Sequence, residues 1–135
     1  MLEREIYDKG RLLFTQVSGE VKSQELIDHV FWSIDSHNIG EIQPGYDQVV
    51  YASDIKSVNI KEEDVLRLTE ISTGLGQIRG KFRTVIIATG PTELKLASFY
   101  QSLVRGSDIE VEICGSFDEA FSWLGCDNPE PERYK

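Results

Sequence analysis

The run FRTVIIATG, residues 82–90, constrains the fold more than any other stretch. Val85, Ile86, Ile87 and Ala88 put apolar side chains on both sides of an extended backbone. Such a strand has to lie inside a sheet with both faces covered. The chain must therefore build layers, with helices packed on a sheet. The neighbouring segments supply both kinds of element. Residues 4–21, REIYDKGRLLFTQVSGEV, read as two strands around a turn at Asp8-Lys9-Gly10, the second partly apolar on both faces. DQVVYAS (residues 47–53) and DIEVEIC (residues 108–114) read as further strands.

Between the strands the period changes to that of a helix. Leu26, Ile27, Val30, Phe31 and Ile34 recur at helical spacing after Ser23, read as the cap, and Asn38-Ile39-Gly40 supplies a left-handed stop. Val65, Leu68, Ile71 and Leu75 make a second stripe, with Asn59 as its cap and Glu62 closing a capping box. Gly90-Pro91 opens a third helix that turns Leu96, Tyr100, Leu103 and Val104 inward. In GSFDEAFSWLG, residues 115–125, Ser116 and Glu119 have capping-box spacing, and Phe117, Ala120, Phe121 and Leu124 share a face. The order is β-β-α-β-α-β-α-β-α. It predicts one α/β domain with a mainly parallel sheet of about five strands and four helices. The domain is placed at residues 1–125, followed by a polar tail over 126–135.

At 135 residues the chain is long enough to bury a core without disulfides or metal. Its net charge of −9 repels a phosphate backbone and argues against nucleic-acid binding. Cys114 and Cys126 share no metal or redox spacing and read as reduced thiols. The start MLEREIYDKG lacks the apolar centre of a signal peptide, and no run has the length of a membrane span. These features lead to the expectation of a cytoplasmic protein with no membrane insertion.

LLFTQVSGEV, VVYASDI, FRTVIIATG and the closing GSFDEAFSWLG, in this order, resemble the STAS superfamily, the domains of anti-sigma-factor antagonists and sulphate-transporter tails. The similarity is greatest to the SpoIIAA-like branch, which has also been compared with SEC14-type lipid-binding folds. The resemblance covers roughly residues 4 to 125. It implies a small non-enzymatic regulatory or binding domain.

Two junctions are the candidate site. YASDIKSVNIKEEDVLRL, residues 51–68, crowds Ser53, Asp54, Ser57 and Asn59 between a strand and a helix. TGPTE, residues 89–93, reads first as a capped turn, but it also places Thr89, Gly90 and Thr92 where free amides at a helix start can meet an anion or carboxylate. Both junctions lie at carboxyl ends of strands, where ligands bind in open α/β sheets near a reversal of strand order. The resemblance implies a phosphorylatable serine at the start of the second helix in an Asp-Ser-x-Gly context. Ser57 is nearest by position, but Lys56 precedes it and Asn59 stands where glycine would. The junction therefore reads as a helix cap, with Ser57 unmodified.

The glycines and basic residues of GLGQIRGKFR, residues 74–83, follow a helix and read as its C-cap and turn, with Arg79, Lys81 and Arg83 complementing the negative helix end. His29 and His37, eight apart, lack metal-helix spacing and read as surface residues. Trp32, Phe99 and Trp123 fall off the main stripes, either widening buried faces or marking a patch. No catalytic constellation, metal set or cofactor motif is present. The reading is a regulatory or protein-interaction module with an unknown protein partner and a possible weak homodimer through the first or third helix. The alternative is a carrier or sensor of a small apolar or lipid-like ligand held between sheet and helices.

Overall fold

The computed structural model describes residues 1–60, 63, 64, 66–68, 70, 71, 81–105 and 108–129. The chain sets its strands side by side in the order it makes them. β1 (Leu2–Tyr7), β2 (Leu12–Lys22), β3 (Asp47–Asn59), β4 (Phe82–Ile87) and β5 (Ile109–Cys114) form one sheet in the spatial order 1-2-3-4-5. β1 and β2 are antiparallel, and the other neighbours are parallel. The helices are α1 (Ser23–Asn38), α2 (helical at residues 63, 64, 66–68, 70 and 71), α3 (Pro91–Leu103) and α4 (Phe117–Leu124). The expected α/β class, with five strands and four helices, is the observed one.

Strand order dictates where the helices go. A right-handed crossover to the next strand, always stepping the same way, leaves each connecting helix on the same face. Leu26 and Val30 of α1, Leu68 of α2, and Leu96 and Ala97 of α3 accordingly share one interior with Val17, Val50 and Ile86. α4 follows β5 and covers the opposite face. There Phe117, Ala120, Phe121 and Leu124 pack with Leu12, Phe14, Val49, Val85 and Ile87. The double-sided run of β4 is thus accounted for: Val85 and Ile87 face α4, and Ile86 faces the crossover helices.

Ser116 caps α4, its Oγ accepting the Glu119 N–H at 3.2 Å. The Glu119 carboxylate accepts the Gly115 N–H at 3.1 Å, one residue earlier than in a capping box. Gly125 ends the helix at φ 73, in the left-handed region glycine adopts without strain.

Four expectations are corrected. β3 does not stop near Ser53 but continues to Asn59, because β2 is eleven residues long and pairs with it to Lys22↔Asn59. Asn59 is therefore a strand residue, and Ile60 after it is not helical. Glu62, its supposed box partner, lies outside the described residues. Ser23 is not a cap either. It is the first residue of α1, and its hydroxyl donates to the Asn59 carbonyl oxygen at 3.3 Å, tying helix to sheet. Phe31, placed on the inward stripe of α1, is 44% exposed, while Ile27, Val30 and Ile34 are buried. Finally, Arg83 is an internal residue of β4 rather than a helix-end charge. It makes a bidentate pair with Asp47 at 2.8 and 2.9 Å and lies over the Trp123 ring. Of the glycine-rich segment, residues 74–80 lie outside the described residues, as do 130–135 of the tail.

Candidate functional site

The strand order never reverses, so the crevice anticipated from a reversal has to arise otherwise. It arises where two successive connections leave the sheet on opposite faces. α3 departs from the end of β4 toward the crossover face, and α4 departs from the end of β5 toward the other. The gap between them is lined by Thr89, Gly90 and Glu93 on one side and Gly115, Ser116 and Phe117 on the other. Tyr51, Ala52, Ser53 and Asp54 of β3 close it.

β3 shapes this crevice by outrunning β4. Its pairing with β4 ends at Tyr51↔Ile87, and beyond that, among the described residues, only β2 accompanies it. Between Val17↔Ala52 and Gly19↔Ile55, β3 takes one extra residue, and another between Gly19↔Ile55 and Glu20↔Ser57. Such bulges bend a strand and re-aim its side chains. Asp54 sits in the first of them at φ 51, a left-handed conformation that non-glycine residues seldom adopt. Past the bulge the edge of β3 facing α3 has no strand partner among the described residues. Glu93, in the first turn of α3, supplies the acceptor instead, its Oε1 taking the Ile55 N–H at 3.2 Å.

To reach Ile55, the Glu93 side chain folds back over Gly90, and a Cβ at Gly90 would overlap its carboxylate. Gly90→Ala is therefore expected to displace a flexible side chain rather than backbone. The cost should be about 1 kcal/mol, that of one hydrogen bond. Faster solvent exchange of the Ile55 amide would read this out, and an unchanged rate would show that the bond does not hold the strand edge.

Of the seven candidate residues, Ser53, Asp54, Thr89 and Gly90 meet in the crevice. Ser57 and Asn59 are exposed near the end of the β2–β3 ribbon, away from it. Thr92 faces a separate shallow groove with Val58, Ile60 and Lys95. An anion at TGPTE, the alternative to a capped turn there, is disfavoured. Pro91 has no N–H, and the Asp54 and Glu93 carboxylates line the space. Glu93 and Ser116 were missed as crevice residues. The available signal was an acid in the first turn after Gly-Pro, but its reach across to β3 is a tertiary fact.

Cys114 lies beside the crevice, with its Sγ donating to the Ser116 carbonyl oxygen at 3.4 Å. Burial is the largest cause pushing its thiol up, with a backbone interaction at Ser116 offsetting part of it, so the thiol is a poor nucleophile. Among the described residues no group of three or more His, Cys, Asp or Glu is placed to hold a metal ion. No described helix is long and apolar enough to cross a membrane.

No family model matches the chain, and no curated protein matches its sequence. Solved structures do match. The unphosphorylated form of the anti-sigma factor antagonist SpoIIAA superimposes with a TM-score of 0.55 at 11% identity, covering 93% of this chain and 98% of that one. The phosphorylated form of SpoIIAA, the Bacillus cell fate determinant, gives 0.52 at 13%, covering 92% and 99%. An uncharacterised Shewanella loihica PV-4 protein with a SpoIIAA-like fold gives 0.56 at 16%, covering 91% and 93%. The chain has the STAS-type, SpoIIAA-like fold, as its element order implied. At these identities the likeness is one of fold.

Proposed function

We propose that the protein is a non-enzymatic regulatory module that binds another protein through the crevice between α3 and α4. The observation that carries this reading is the crevice itself. It lies at the carboxyl ends of parallel strands, where open α/β sheets bind their ligands. It includes a non-glycine residue held at positive φ, a conformation that clusters at functional sites. SpoIIAA, which shares the fold, is an anti-sigma factor antagonist and has a phosphorylated form. With Asp54 and Glu93 facing the crevice, the partner group that fits is cationic, an Arg or Lys side chain. The switch of this module is not Ser57. That residue sits in a strand, paired with Glu20, rather than at a helix start.

The test is a photo-crosslinking amino acid placed at Thr89, an exposed crevice residue, and separately at Lys9, exposed at the opposite end of the sheet. In the native cell, Thr89 should give a discrete protein adduct that Lys9 does not, and Asp54→Lys should weaken it. No adduct, or the same pattern from both positions, would remove the reading.

A further inference from the structure

On the crossover face, the sheet, helices α1 and α3 and Leu68 of α2 line a partly open cavity of about 90 Å³. Protein interiors seldom leave voids larger than a water molecule. Most of the wall is apolar, including Val17, Val50, Ile86, Leu26 and Leu103. One part is not. Thr15 and Gln48 line it at 1% and 4% exposure, and His29 of α1 lies beside them. Thr84, fully buried on the next strand, joins them through Gln48. Three adjacent strands thus bury a polar side chain where valine or leucine would pack without desolvation cost.

The hydrogen bonds fix the character of this polar end. Gln48 Nε2 stands 3.0 Å from both Thr15 Oγ1 and His29 Nε2, and Oε1 stands 3.5 Å from Thr84 Oγ1. Arg4 Nη1, which can only donate, stands 3.3 Å from His29 Nδ1, so that nitrogen accepts. A neutral imidazole then carries its proton on Nε2. The two orientations of a glutamine amide have the same shape, and the one with oxygen toward His29 satisfies every member of the network. In it the Thr15 hydroxyl donates to Gln48, which leaves the Thr15 oxygen able to accept. The described lining includes no Asp, Glu, Lys or Arg, so a charged occupant would have no counter-charge there.

We infer that this cavity is a binding site for a compact neutral molecule, mainly apolar and on the order of one aromatic ring in size, carrying a hydroxyl or similar donor that reaches Thr15. It is a different site from the crevice and does not depend on the reading given to that crevice.

Phenol is the probe, with benzene and benzoate as comparators, followed by NMR on the intact chain. Phenol should give saturable shifts and intermolecular NOEs to the Val50 and Ala97 methyls. It should bind about fivefold more tightly than benzene, the advantage of one net hydrogen bond, and benzoate should not bind. Thr15→Val should remove the phenol advantage and keep benzene binding. Ala97→Leu, which fills the cavity from α3, should abolish both. Absence of saturable binding, NOEs confined to other residues, or binding undiminished in a folded Ala97→Leu variant would overturn the site. Should that variant not fold, the NOE map of the wild-type chain decides alone.

Discussion

Phe121→Ala is expected to lower the unfolding free energy by about 3–5 kcal/mol, the cost of removing a buried aromatic side chain. Phe121 is 5% exposed and belongs to the cluster in which α4 meets β2, β3 and β4. α4 has eight residues, too few to be helical without packing. Its covering of the sheet therefore depends on this contact and on the Phe117 ring stacked on Phe14 at 5.8 Å. The measurement is a urea midpoint against wild type. A midpoint unchanged within error would mean that α4 does not seal that face. Because α4 also walls the crevice, the same variant should lose the crosslink from Thr89.

Gly10→Ala is expected to cost about 3 kcal/mol, combining a left-handed backbone penalty of ~1–2 kcal/mol with an overpacking penalty of similar size. Gly10 is buried at φ 90, and Asp8 and Lys9 before it are also at positive φ, so three successive residues of the turn from β1 to β2 are left-handed. A Cβ at Gly10 would overlap the Glu41 carbonyl oxygen and stand 3.2 Å from the Gln43 nitrogen. Those are backbone atoms, and the loop is tied there, since the Gln43 N–H donates to the Gly10 carbonyl oxygen at 2.8 Å. Gly19→Ala is the control. It has φ 69 with no atom within 4 Å of a Cβ, so only the backbone penalty of ~1–2 kcal/mol applies. Equal denaturation midpoints for the two variants would show that the loop over Gly10 yields freely.

Layering, element order and the buried face of α4 were legible in the residues because hydrophobic period is a local property. The two apolar faces of β4 called for cover on both sides, and the Phe117, Ala120, Phe121, Leu124 stripe supplied it on one. Gly40 marked a helix end for the same local reason, that a left-handed residue favours glycine. The end of β3 was not legible. Ser57 and Asn59 have the local chemistry of a helix cap, but whether a strand stops is decided by its partner, here the length of β2 thirty-odd residues earlier. His29 reads as a surface residue on its own helix and becomes part of a buried network only because Thr15, Gln48 and Thr84 fall into register across three strands. The candidate site divides along the same line. Thr89 and Gly90, and with them Ser53 and Asp54, were marked by their place at the carboxyl ends of strands, which suggested one shared rim. Their meeting with Ser116 required that α3 and α4 leave neighbouring strands on opposite faces. Periodicity is written along the chain, but pairing partners and the space left between layers exist only once the sheet has formed.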